Sequence, residues 1–194
     1  MQPEEMTQNN EKEEGSLSSF AGEVIKFAFL ALIIVVPVRV YVAQPYIVSG
    51  DSMVPTFENG DYLIVDQISY RFNEPERGDV IIFRYPNDPK KFFIKRIIAL
   101  PHETLEIKNG HVAVKNEATP DGFELAEPYN KSFFNDTITK TLGDEEYFVM
   151  GDNRAQSLDS RSWGALPREL LVGRALMRLF PITDISYLPG SVAN

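Results

Sequence analysis

The chain has 194 residues, 43% of them hydrophobic and 24% charged, which suits one packed domain plus a tail. Its net charge is −9 and no block of Lys and Arg interrupts it, which argues against a nucleic-acid partner, because such binders displace counterions with a cationic surface. There is no Cys and only two His, His102 and His111, which excludes thiol catalysis, iron–sulfur clusters and structural zinc; neither metal nor cofactor is expected.

Residues 1–23 carry six Glu against the single Lys12 and read as an acidic, disordered tail. Phe27 to Val38 is an unbroken apolar run of 12 residues. As a helix it spans about 18 Å, short of a ~30 Å hydrocarbon core. Extended over 25–43 it reaches about 28 Å, with Lys26 and Arg39 near its ends, where they can snorkel, and Pro37 as a tolerable kink. A cleaved export signal wants a basic start and small residues before the cut, and Tyr41-Val42-Ala43 is a poor site. A buried core helix would show a polar face. The length therefore predicts a transmembrane anchor over 24–43. Lys12 and Lys26 precede the apolar core and no cation follows Arg39 until Arg71, which leans towards an inside N-terminus.

After Gln44 the pattern changes to short β-type runs punctuated by turns. Asn59-Gly60-Asp61 precedes YLIVDQIS, Gly78-Asp79 precedes VIIFRY, and Lys90-Lys91 precedes FFIKRIIAL. Asn109-Gly110 between TLEIK and HVAVK is a strong hairpin signal, since a type I′ turn needs two residues at positive φ. Residues 116–144 are dotted with Pro, Asn and Asp and predict an irregular excursion, before strands at 146–150 and 171–180. The expected fold is mainly β: one N-terminal transmembrane helix, then an antiparallel-β domain over 44–194, with a small accessory region at about 104–145.

Ser49-Gly50-Asp51-Ser52-Met53-Val54-Pro55-Thr56 presents Ser52 on a turn, and Pro55 stops a regular ladder or helix. A serine hydroxyl is a weak nucleophile until a base activates it; without one the stretch is an ordinary Asp/Ser turn. His102, after Pro101, could serve in a triad, whereas His111 beside the hairpin turn reads as a surface residue. Lys95 is the better base. Alternation in FFIKRIIAL puts Phe93, Lys95 and Ile97 on one face and Ile94, Arg96 and Ile98 on the other. Apolar surroundings disfavour the ammonium, so a neutral Lys95 can take the Ser52 proton. Arg96 cannot neutralise and needs carboxylates. An edge strand with two solvated cations is the plain alternative. Gly151-Asp152-Asn153-Arg154-Ala155-Gln156-Ser157-Leu158-Asp159-Ser160-Arg161-Ser162-Trp163-Gly164 supplies Asp152 and Asp159 to pair with Arg96, Arg154 and Arg161, and Ser157 to hydrogen-bond the lysine; otherwise it is a solvated loop.

Together these stretches resemble the bacterial type I signal peptidases, over roughly residues 25–181. SGDSMVPTF (49–57) is similar to that family's nucleophile segment, KRIIALP (95–101) to its lysine segment, GDNRAQSLDSRSWG (151–164) to its last segment, and GDVIIF (78–83) to a family strand. The resemblance implies Ser52 as nucleophile, Lys95 as general base and Ser157 as support for the lysine. It implies bracing ion pairs among Arg96, Asp152, Arg154, Asp159 and Arg161, with Met53, Phe93 and Ile94 at the substrate cleft. It further implies a β-dominated fold, no metal, and a single-pass protein of the cell membrane with an extracytoplasmic catalytic domain. Such an enzyme cleaves the signal peptides of exported preproteins, with the lipid bilayer as its other partner. Two departures stand out. The family usually reads Gly-Leu-Pro-Gly-Asp where this chain has Ala99-Leu100-Pro101-His102-Glu103, and some members carry a hydroxyl where this chain has Gly50, leaving the oxyanion mainly to the Ser52 N–H. A self-cleaving repressor-type Ser/Lys peptidase would lack the anchor, and a non-catalytic tethered β-domain would make Ser52 and Lys95 coincidental.

Overall fold

A computed structural model describes residues 20–36 and 43–191, in two units that divide between Val42 and Ala43. In the first unit, residues 20–36 form a helix (α1) with exposed apolar side chains such as Phe27 and Ile33, so residues 20–23, expected to be disordered, are helical. No helix among the described residues is long and apolar enough to cross a membrane. The expected tail to residue 19, and Pro37 and Arg39 of the expected anchor, lie outside the described residues.

The second unit is built on antiparallel strands. In chain order they are β1 (Ala43–Ile47), β2 (Tyr62–Asp66), β3 (Val80–Tyr85), β4 (Asp88–Ala99), β5 (Thr104–Lys108), β6 (His111–Lys115), β7 (Phe123–Glu124), β8 (Ile138–Thr141), β9 (Glu146–Met150), β10 (Leu166–Pro167), β11 (Leu171–Phe180) and β12 (Ser186–Tyr187). One sheet runs β1-β2-β11-β3-β4-β9-β10, with β12 on β11; the other runs β7-β6-β5-β8. Strands β5 and β6 meet as predicted from Asn109-Gly110, whose φ values of 52° and 82° give the I′ turn. Their buried residues alternate: Leu105 lies opposite Val114 and Ile107 opposite Val112, and these pairs pack with Ile98, Phe148 and Met150 of the larger sheet. Val80–Phe83 of β3 are buried throughout, as befits a strand flanked by β11 and β4 with both faces covered. A second cluster gathers Met53, Phe57, Leu63, Val65 and Ile82; a third gathers Ile81, Phe83, Ile97 and Val149.

The stretch 116–144 is mostly irregular but contributes β7 and β8 to the smaller sheet, short edges that the sparse apolar residues there did not signal. Glycine at 173 has a specific reason: a Cβ there would run into the Asp66 carbonyl, so its absence lets β11 lie close against β2.

Candidate active site

The segment after β1 turns at Gly50, where φ is 90°, and its N–H is held by Asn59 Oδ1 at 3.0 Å. Val48 N–H to Asp61 O and Gly60 N–H to Val48 O, both 2.9 Å, close the base of the loop. Met53 and Phe57 plug its underside into the core, each with no exposed surface. Ser52 is thereby presented above its buried neighbour. Its partner comes from β4. Lys95 lies opposite Ile81 in the β3–β4 ladder, is 4% exposed, and donates from Nζ to Ser52 Oγ at 2.7 Å and to Ile94 O at 2.9 Å. Burial pushes its pKa down from 10.5 to about 8, against the opposing pull of Asp159 and Asp152. The Phe93 ring, 5.4 Å from Nζ, forms part of the apolar wall.

The carboxylates sit where they stiffen this arrangement. Arg96 is fully buried and grips Asp152 with two hydrogen bonds, Nε to Oδ1 at 2.8 Å and Nη2 to Oδ2 at 2.6 Å. Its remaining nitrogen reaches Gly78 O at 2.8 Å and Gly190 O, and its plane lies 4.0 Å from the Tyr129 ring centre. Asp152 Oδ2 also accepts the Thr56 hydroxyl at 2.5 Å, and Asn153 N–H donates to Ser52 O at 3.0 Å. The loop carrying Ser52 is thus tied to the ion pair beside Lys95. Asp159 binds Arg161 (Nε to Oδ1, 2.8 Å) and caps the short helix α2 (Ser160–Trp163) through the Arg161 N–H.

Four expected placements differ in detail. Arg154 pairs with Glu127, at 2.5 and 2.8 Å, rather than with Asp152 or Asp159, because its guanidinium points into the 116–144 excursion. Arg161 has a second acid there, Asp136, at 2.8 Å. Ser157 Oγ accepts the Gly151 N–H at 3.1 Å, while both Lys95 hydrogen bonds go to Ser52 and Ile94. Met53 is sealed in the core instead of facing the cleft. Glu127, Asp136, Thr56 and Tyr129 were not anticipated. One clue was available: Arg96, Arg154 and Arg161 outnumber Asp152 and Asp159, which required further carboxylates from elsewhere.

The departures near Pro101 also find their place. His102 adopts φ 66°, the left-handed conformation that glycine takes most easily, and its ring is exposed beside Asp144. Glu103 is buried; its carboxylate accepts the Leu100 N–H at 2.8 Å and pairs with Arg77 at 2.6 Å. His111 lies on the surface against Glu124. Among the described residues no group of His, Asp and Glu is arranged to hold a metal ion.

Ser52 and Lys95 open onto a cleft of about 460 Å³, walled by Tyr46–Asp51 on one side and Lys91–Ile94 on the other, so Phe93 and Ile94 do line it. Strand β4 pairs with β3 as far as Arg96, and with β9 only from Arg96 onward, which leaves the residues before Arg96 with an open edge towards the cleft. The Ser52 N–H has no acceptor among the described residues. A hydroxyl held against a buried amine, beside a free backbone donor and an open strand edge, is equipped to attack a peptide carbonyl.

Residues 21–180 match the family described as "Signal peptidase, peptidase S26". The chain is 39% identical over 170 residues to "Probable signal peptidase I-1" of Synechocystis sp., covering 84% of each chain. It is 34% identical over 172 residues to "Signal peptidase I P" of Bacillus subtilis subsp. natto, across 84% of this chain and 91% of that one. It is 33% identical over 180 residues to "Thylakoidal processing peptidase 1, chloroplastic" of Arabidopsis thaliana, across 88% of this chain and 52% of that one. With the match running from α1 to the end of the last long strand, the chain belongs to the signal peptidase family, peptidase S26, and is a hydrolase of the signal peptidase I type.

Proposed function

We propose that the chain is a membrane-anchored serine endopeptidase that removes signal peptides from exported preproteins with Ser52 and Lys95. The observation that carries the reading is the 2.7 Å contact between a burial-depressed lysine and a loop serine at the floor of a cleft. The leader segment adds as a strand to the open edge of β4 before Arg96, and main-chain hydrogen bonds set its register. Lys95, neutral, takes the proton as Ser52 Oγ attacks the scissile carbonyl. The oxyanion is received by the Ser52 N–H. The resulting ammonium returns that proton to the leaving amine, which departs and leaves an ester on Ser52. Water then gives a proton to Lys95 as its oxygen attacks the ester, and Ser52 leaves by taking that proton back.

Arg96–Asp152 and Asp159–Arg161 hold the two loops in this register, with Arg154 bound to Glu127 behind them. Ser157 orients the lysine's surroundings through Gly151. We assign residues 1–23 to a tail, 24–43 to a single-pass anchor and 44–194 to the peptidase domain, with 104–145 as its accessory part. The N-terminus lies in the cytoplasm and the catalytic domain outside it. The apolar run over 27–38 and the cations at its ends support that arrangement.

A fluorescent leader-peptide assay on the detergent-solubilised chain tests the chemistry. Ser52→Ala and Lys95→Ala should each lower kcat on the order of 10⁴-fold or more, and the double variant should be no worse than either, since residues that act as a unit are not additive. An active Lys95→Ala beside an inactive His102→Ala would transfer the base to His102.

A further inference from the structure

A second cavity, of about 300 Å³, shares no lining residue with the cleft and has no part in the proposed chemistry. Three arginines line it, Arg71, Arg84 and Arg168, on a chain whose net charge is −9. Arg168 is neutralised by Glu74 and Glu145 and is tied to Tyr70 O at 3.3 Å, so it forms a fixed wall. Arg71 and Arg84 have no carboxylate partner among the described residues. Arg84 only stacks on Phe92 and reaches Pro89 O at 3.4 Å. Two unpaired guanidiniums at a concave site are a ready receptor for a phosphate or similar anion.

The surroundings narrow the ligand. The cavity sits at the end of the large sheet where β2 stops and β11 begins, with Gln67 and Leu171 in its lining. Gln67 hydrogen-bonds Gln44 at 2.7 Å, and Ala43 pairs with Asp66, so this is the end at which the chain enters the domain from the segment assigned as the anchor. Phe72, next to Arg71, is 80% exposed, an apolar side chain beside cations as at membrane interfaces. Arg84 lies opposite Phe92, which lines the substrate cleft, so cavity and cleft share the β3–β4 hairpin. We infer that this cavity binds the anionic headgroup of a membrane lipid, and that the bound lipid sets the cleft at the bilayer surface. The inference rests on the membrane-anchored reading but not on the Ser52–Lys95 chemistry.

The test titrates the full chain in non-ionic detergent with short-chain phosphatidylglycerol, short-chain phosphatidylcholine and inorganic phosphate, each followed by calorimetry. Phosphatidylglycerol should bind and phosphatidylcholine should not. Arg71→Gln and Arg84→Gln should each weaken binding about fivefold, and together about thirtyfold, the effect expected for one basic residue at an anionic surface and for two. Arg71→Gln should leave leader-peptide cleavage in detergent unchanged. Equal binding of the two lipids, or binding that ignores both substitutions, overturns the proposal. So does phosphate binding as tightly as the lipid, which would mark a site for a free anion, and so does the absence of any binding. Inactive Ser52→Ala protein should give the wild-type titration, which separates this result from the fate of the proposed chemistry. Alkaline extraction of membranes reads the anchor by itself.

Discussion

In the proposed mechanism Lys95 sits where function and stability oppose each other. Burial depresses its pKa to about 8, so the neutral base becomes available only as pH rises through that value. The acidic limb of kcat/KM should therefore fall near 8, above the ~6.5 of an ordinary histidine. Phe93→Glu places an anion by the ammonium and should move that limb upward; a plateau by about pH 6 would point to a different base. The same burial has a stability cost. Below pH 8 the folded chain must hold a charged lysine that the unfolded chain solvates freely, and the cost fades between 8 and 10.5 as the unfolded state comes to bind more protons than the folded one. Lys95→Met should accordingly raise stability by about 3 kcal/mol at pH 7 while abolishing cleavage, as read by denaturant melts and the peptide assay. His102 carries a smaller strain. With φ at 66° it pays for a left-handed backbone, and His102→Gly should stabilise the fold by about 0.5–1 kcal/mol without changing kcat.

At the scale of elements, the site is held by loops pinned to strands. The Ser52 loop and the 151–164 segment meet through Thr56–Asp152 and Ser52–Asn153, and a Cβ on Gly151 would strike both Ser157 Oγ and the Ser52 carbonyl. Gly151→Ala should therefore lower kcat more than it raises KM. The ion pairs behave differently. Arg96, Asp152, Arg154 and Asp159 are almost wholly buried, so removing one member strands its partner without solvent. Asp152→Asn and Glu127→Gln should each cost about 3–5 kcal/mol in chemical denaturation, because neither Arg96 nor Arg154 has a second carboxylate among the described residues. Asp159→Asn should cost less, because Arg161 keeps Asp136. Unchanged midpoints would mean that water reaches these charges. Much of the strand pattern was legible beforehand. The β5–β6 hairpin follows from Asn109-Gly110, and β11 spans the apolar run 171–180 as read from the sequence. Strands β7, β10 and β12 were not legible, because two-residue pairings are too short to carry a period and exist only through their neighbours.

For the whole molecule, the sheet order decides where chemistry can occur. Inserting β11 between β2 and β3 separates the first hairpin from the second, yet the loop after β1 reaches back to meet β4. The proposed anchor belongs to this scale too: the full chain should remain with membranes through alkaline carbonate washing, and release into the supernatant would sink the 24–43 assignment.

Some of this is written in local residue order. A turn that lifts Ser52 needs only Gly50, Asp51 and Pro55, and a lysine set among Phe93, Ile94 and Ile97 is predisposed to lose its proton. Local order also demanded acids for Arg96, Arg154 and Arg161. It did not say which ones, because Glu127 and Asp136 lie in a stretch with no period to place them, and a carboxylate pairs with whichever cation the packed chain leaves unsolvated beside it. Nor did it hide Met53 from the cleft or send Ser157 to Gly151. Those outcomes depend on side-chain packing between strands distant in sequence, and on buried polar groups taking whatever partner lies within about 3 Å.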